Sequence, residues 1–448
     1  MKSKTSFSDE IRCLRAIPEL TTLHSKFPKP TYMYKILLMY GPNIIASEGH
    51  IWKKHRKIAA PTFSEASLTI LRKYRNNKLV WDETIRIVSD MMDSWGPQSS
   101  EILINNCVQD ITLPVALMVI SAAAFGRRVS WAEESMVAPN HVISFRTSLY
   151  TMASNMMLRL ITPRWLGFFS RKVRFVHQCS EELESYMLEM IEERRLSLAK
   201  GEEYADLFSS LLQGSEAEEG DERLSDKDLI GNIFVFLLAG YETTAHTLGF
   251  ALGLLALHKD VQEKLYEQIS SVVPKDTIPV YEQIHALPLV QATIYETLRL
   301  IPIAPAIPKV AAEDLTLPTM RPNGSIERIP VPKGTIININ IQALHKNPRY
   351  WPDPERFDPS RFLSEYTKEA FMPFSSGSRG CLGRRFSEVE AVAVLTMILS
   401  KYRVDLKNPE EYELEGLTMA EKREKVLKPR IILTITPCKL PLIFTKRL

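Results

Sequence analysis

Phe374 to Phe386 reads FSSGSRGCLGRRF. Three glycines in this stretch, Gly377, Gly380 and Gly383, let the backbone turn tightly and approach a flat partner closely. They present Cys381 just ahead of a segment, about 384 to 401, whose pattern predicts a helix. The start of a helix offers free N–H groups and the positive end of its dipole, and both stabilise a thiolate. Arg379 adds a charge able to hold a carboxylate. For an arbitrary cysteine the plain reading is a small buried side chain in a turn. This loop instead suits a shielded, electron-donating thiolate.

The composition sets the frame for that cysteine. The chain has 448 residues, 45% hydrophobic and 24% charged, with a net charge of +3. These are ordinary globular values and exclude a disordered or low-complexity protein. A charge of +3 over this length gives no support for a nucleic-acid partner. The five cysteines (Cys13, Cys107, Cys179, Cys381 and Cys438) are scattered and form no C-x-x-C. A disulfide framework and a cysteine zinc site are therefore not expected, and any cysteine chemistry rests on one residue. The N-terminal stretch MKSKTSFSDEIRCLRAIPEL has no apolar core of the length a signal peptide or membrane anchor needs. Phosphate-loop, G-x-S-x-G and H-E-x-x-H motifs are absent.

The first two-thirds of the chain reads as helix. Residues 65 to 95 and 172 to 200 carry amphipathic patterns, and 102 to 126 is apolar enough to be buried. An acidic stretch, GSEAEEGDERLSDKD, reads as a solvated loop and closes on Ser225 and Asp228, spaced as a capping box. The apolar run from Asp228 to Asp260 predicts one long helix. Asn232, Glu242 and His246 argue against a membrane span there and for a central helix buried on most sides. After Leu300 prolines crowd in, beside strand-like GTIININI and loop-like HKNPRYWPDPERFDPSRF, and the C-terminal region alternates like strand. The expected fold class is mainly α with small β-sheets, and the length allows one large domain or two or three smaller ones.

An axial thiolate ligand of haem iron needs a loop of this kind. The stretch resembles the haem-binding signature of the cytochrome P-450 family, F-x-x-G-x-R-x-C-x-G, at Phe374, Gly377, Arg379, Cys381 and Gly383. Further resemblances follow in the family's order. ETLR, with Glu296 and Arg299, looks like the E-x-x-R helix motif, and Arg356 in PERF resembles the third member of its Glu-Arg-Arg cluster. AGYETT, Ala239 to Thr244, resembles the oxygen-activation motif, and WKKHR, with Trp52 and Arg56, the haem-propionate motif. FPKP before GPNI and IPKVAAEDL after ETLR look most like fungal members.

The resemblance implies the cytochrome P-450 fold in a single domain over 1–448, with haem b (iron protoporphyrin IX) between the AGYETT helix and the loop of its axial ligand, Cys381. Glu296 and Arg299, three apart on one helix face, would form a bidentate ion pair. With Arg356 they would make a buried structural network. Glu242 and Thr243 would be the catalytic pair, delivering protons during oxygen activation. Trp52 and Arg56 would face the haem while Lys53, Lys54 and Lys57 face out. With Arg384 and Arg385 those lysines would form a basic face for an acidic, NADPH-dependent flavoprotein reductase. Lys309 stands where many members have an arginine for a propionate, and supplies the charge without the fork. His345 is placed like a structural histidine of the family, not a metal ligand.

The implied function is insertion of one oxygen atom from O2 into a small apolar organic substrate. Two alternatives stay open: a reductase-independent peroxygenase or isomerase, and a remnant that fails to hold haem. The resemblance implies the cytosolic face of the endoplasmic reticulum membrane, and the chain as given, with no anchor, is expected to be soluble or peripheral there. Here the resemblance begins near residue 18, so the anchor, hinge and first strands are expected to be missing, leaving a sheet edge unpaired.

Overall fold

The computed structural model describes residues 14–63, 70–96, 99–128, 130–131, 136–201, 206–320, 324–431 and 434–447. Cys13 and the opening residues of the helix expected from 65 lie outside them. The chain forms two compact units, one from residues 31–97 with 113–242, the other from 1–30, 98–112 and 243–448.

The first of these units is helical. Gly49–Phe63, Ile70–Ser94, Leu113–Phe125, Phe145–Ile161, Arg171–Ala199 and Leu207–Glu216 are its helices. Leu113–Phe125 is buried from Pro114 on, as its uniformly apolar composition requires. The region expected as one buried segment from 102 begins differently, with the strand Glu101–Ile104 and a single wide turn, Val108–Thr112. Among the described residues one helical stretch, Val108–Phe125, is long and apolar enough to cross a membrane, and 83% of it is buried in the protein. Phe145–Ile161 packs along Arg171–Ala199, which Arg194 ties back into the unit. Its buried guanidinium meets the Asp206 carboxylate and the Ser209 hydroxyl, and donates to the Phe125 carbonyl at 2.9 Å.

The long central helix runs Asp226–Leu257, one unit giving way to the other at Glu242 and Thr243. Its start is the expected reciprocal cap. Ser225 N–H donates to Asp228 Oδ2 at 2.9 Å, and Asp228 N–H donates to Ser225 Oγ at 3.2 Å. Asn232, out of place in an apolar helix, accepts from Ile44 N–H at 3.0 Å and contacts His55 Nδ1 at 2.6 Å. The helix breaks at His258 and a second, Lys259–Val272, begins.

In the other unit, helices Pro288–Leu300 and Arg384–Lys401 carry small antiparallel sheets around them. Leu442–Lys446 is the middle strand of three, between Glu101–Ile104 and Tyr402–Leu406. Ala306–Val310 pairs with Ile336–Asn340, Leu315–Met320 with Ile326–Val331, and Arg430–Ile431 with Ile435–Thr436. A core of Ile17, Leu20, Phe27, Leu317, Ile339 and Trp351 joins the N-terminal helix Ala16–Thr22 to these sheets. At the end of the strand Ala306–Val310, Val310 N–H donates to Pro28 O at 3.0 Å and Ala312 N–H to Lys26 O at 2.9 Å, so the chain just after the first helix satisfies these backbone groups.

Candidate active site

The cysteine loop is closed by its own backbone. Cys381 N–H donates to Phe374 O at 2.9 Å, and Gly380 N–H to Gly377 O at 3.0 Å. Gly377 has φ +68°, and a Cβ there would lie 2.5 Å from the Thr21 carbonyl oxygen. Only glycine fits both the left-handed backbone and the close approach of the first helix. Gly383 is the N-cap of the helix Arg384–Lys401 and brings no side chain of its own to the first N–H groups.

Among the described cysteines Cys381 is exposed, Cys107 and Cys179 are buried, and Cys438 is intermediate. Burial pushes the Cys107 and Cys179 thiols upward, which disfavours their thiolates. Cys381 is thus the cysteine both reachable and set against a helix start, the donor chemistry that a haem-thiolate site needs.

Behind the loop, Glu296 and Arg299 are fully buried. Arg299 Nε and Nη2 donate to the two carboxylate oxygens of Glu296 at 2.7 and 2.8 Å. The rest of the fork is used on the His345 carbonyl (2.9 Å), the Pro354 carbonyl (2.8 Å) and the Arg356 carbonyl (3.1 Å). Asp358 N–H donates to Glu296 Oε1 at 2.8 Å. Burial raises the Glu296 pKa, and the Arg299 hydrogen bonds pull against it.

The third charged member corrects the expectation. The Arg356 side chain is 66% exposed and, among the described residues, reaches only Asp358, at 3.9 Å. Arg361 holds the expected place, 13% exposed with Nε 3.6 Å from Glu296 Oε1. Its other nitrogens donate to the Pro352 and Asp353 carbonyls. PERF and PSRF repeat the same x-R-F spacing five residues apart. Only the path of the proline-stiffened chain decides which arginine turns inward.

His345 is structural, as expected. It is buried, with Nδ1 3.2 Å from the Leu298 carbonyl, while Nε2 accepts from Met372 N–H at 2.9 Å. These partners define a neutral tautomer, and burial holds its pKa down to about 3. Lys309 is the one buried residue of its strand, paired in register with Ile337.

On the central helix, every residue from Asp228 to Ala256 is buried except Ala239, Gly240, Glu242 and Thr243. The helix opens just where its polar and small residues fall. Thr247, one turn on, donates to the Thr243 carbonyl at 2.8 Å. Gly240 serves helix packing, since a Cβ there would come 2.9 Å from Ile120 Cδ1.

Trp52 is buried, the Arg56 guanidinium lies 6.0 Å from its ring centroid, and both line an open hollow of about 360 Å³. Of the lysines expected to face out, Lys53 and Lys57 are exposed and Lys54 is the exception. Lys54 is 15% exposed and pairs with Asp228 at 3.4 Å, while Lys57 pairs with Glu218 at 2.7 Å. Lys53 is exposed but shares the hollow with Trp52 and Arg56. Arg384 and Arg385 both pair with Glu388, at 2.8 and 3.4 Å. Glu388 thus offsets one of the two arginine charges, and Asp228 and Glu218 offset those of Lys54 and Lys57.

A family model described as Cytochrome P450 matches residues 21–427. The chain belongs to the cytochrome P450 family. It is 46% identical to Cytochrome P450 monooxygenase 124 of Postia placenta, over 97% of this chain and 82% of that one. It is 29% identical to Cytochrome P450 monooxygenase ORF6 of Penicillium roqueforti, over 85% of this chain and 71% of the relative. In fold it resembles the crystal structure of the cytochrome P450DA heme domain, with a TM-score of 0.77, 24% identity, and coverage of 97% of this chain and 87% of that one. The chain is accordingly an oxidoreductase of the cytochrome P450 monooxygenase type, and family membership implies a haem held by a cysteine thiolate.

Proposed function

We propose that Cys381 is the axial ligand of haem b, and that the two units work as one cytochrome P450 domain over the whole chain. The observation that carries this is the exposed Cys381 in a glycine loop at a helix start. When bound, the haem supplies the redox chemistry that activates O2, with its thiolate donating electron density. Phe374, Gly377, Arg379 and Gly383 would shape the loop against it. Arg379, Trp52, Arg56 and Lys309 would hold its propionates by charge and N–H donation. Glu242 and Thr243 are the acid and hydroxyl at the opening of the central helix, and would hold and pass protons there. Glu296, Arg299 and Arg361 support the loop and take no part in the chemistry.

The reaction proposed is insertion of one oxygen atom into a small apolar organic substrate, with electrons from an NADPH-dependent flavoprotein reductase. Glu242 and Thr243 favour this over peroxygenase or isomerase chemistry, which needs no proton delivery of this kind. We place the enzyme at the cytosolic face of the endoplasmic reticulum membrane. Supporting a membrane surface are Ile161, Trp165, Phe168 and Phe169, each more than half exposed, beside Arg164, Arg171 and Lys172.

The test is the carbon monoxide spectrum of the reduced protein. The proposal expects a red-shifted Soret band that Cys381→Ala abolishes, and a band unchanged in that variant overturns it. Thr243→Ala should retain the band and uncouple oxygen consumption from product formation. Undiminished coupling removes the proton role.

A further inference from the structure

Glu388 does more than pair with the arginines after the loop. It is 6% exposed, and three donors from two helices converge on its carboxylate. Tyr295 OH donates at 2.8 Å, Arg384 Nε at 2.8 Å and Arg385 Nη1 at 3.4 Å. Tyr295 sits beside Glu296 on the helix Pro288–Leu300, and its own oxygen accepts from Gln291 Nε2 at 3.0 Å. At the other end, the Arg384 guanidinium lies 5.4 Å from the Phe374 ring centroid. Phe374 is the residue whose carbonyl takes the Cys381 N–H. A continuous line of contacts thus runs from the buried Glu296 helix, through Tyr295, Glu388, Arg384 and Phe374, to the cysteine.

We propose that Glu388 is a positioning residue for the Cys381 loop, holding Arg384 against Phe374 and cancelling the positive charge that Arg384 would otherwise place beside the thiolate. This rests on the reading of Cys381 as the haem ligand. An ordinary i, i+4 surface pair would do neither, because both partners would be solvated and screened. Here the carboxylate is buried, and a phenol from a second helix fixes where it stands. Glu388 lies seven residues after the cysteine, in the first turns of the helix Arg384–Lys401. In such a partly desolvated setting one uncompensated charge on the loop's own support should shift a redox equilibrium by about threefold to tenfold. For one electron that is roughly 28 to 59 mV.

The experiment measures the haem reduction potential and the carbon monoxide band of the loaded protein and its variants. Glu388→Gln leaves positive charge uncompensated and should raise the potential. Arg384→Gln removes one positive charge, leaving Arg385 alone to face Glu388, and should lower it. The double variant should return close to the parent, and Glu388→Asp should hold most of the parent value. Shifts of the same sign, or no shift in variants that keep the red-shifted band, overturn the proposal. A parent protein without that band would instead refute the ligand assignment itself. Arg384 is 54% exposed at its side chain, so Arg384→Gln keeps the sign test available if Glu388→Gln fails to load haem. In that case a raised or unchanged potential in Arg384→Gln overturns the proposal.

Discussion

Replacing Arg361 by Ala should destabilise the protein far more than replacing Arg356 by Ala. Arg361 is 13% exposed, and its Nε lies 3.6 Å from the fully buried Glu296 carboxylate. At an effective dielectric of about 20 that attraction is about 4 kcal/mol before desolvation is subtracted. Two charge-assisted hydrogen bonds to carbonyls add roughly 1 kcal/mol each, reduced by their exposure. The removed guanidinium also recovers its own hydration cost, and Glu296 keeps Arg299 and the Asp358 N–H. The net loss is about 3 kcal/mol, at the lower edge for breaking a buried pair. Arg356→Ala loses a side chain 66% exposed, 3.9 Å from Asp358, and keeps the carbonyl that Arg299 uses. Its cost is under about 0.5 kcal/mol. Urea unfolding of the haem-loaded proteins, followed at the Soret band, reads the difference as a shift in midpoint at constant slope. Equal shifts, or a larger one for Arg356→Ala, would refute the reasoning.

Other outcomes follow from the same geometry. Gly377→Ala forces an L-residue into φ +68° and a Cβ to 2.5 Å from the Thr21 oxygen, so it should cost about 2–4 kcal/mol. Haem retention after gel filtration checks it, and full retention with parental stability would contradict the close approach. His246 and His345 are held by burial at about 4 and about 3, below the usual 6.5. The unfolded chain therefore binds protons first as pH falls below 6.5. Stability should drop through that window, by up to about 1.4 kcal/mol per pH unit for each histidine. Unfolding midpoints from pH 7 to 5 measure it, and His345→Gln should make the fall shallower. Glu390 is fully buried, its oxygens have no hydrogen-bond partner among the described residues, and burial raises its pKa well above the usual value. Its contribution runs the other way, stability being lost as pH rises above about 4.5. Glu390→Gln should therefore gain on the parent protein with increasing pH, and a difference independent of pH would show that the buried acid is ionised.

The sequence by itself determined the family and the local chemistry. The loop motif, the capping box at Ser225 and Asp228, the helix Arg384–Lys401 and the bidentate Glu296–Arg299 pair were all legible. Each depends on residues close together in the chain, where backbone geometry and helix periodicity settle who meets whom. Tertiary structure decided what depends on long-range burial. Arg356 and Arg361 have equivalent local sequence, and only the path of the meander turns one toward Glu296 and the other to water. The lysines of the Trp52 helix read as free charge because their partners, Glu218 and Asp228, lie more than 150 residues away. Tyr295 and Glu388 carry no motif of their own. Their meeting depends on how two helices pack, because a buried carboxylate is stable only where folding brings it donors.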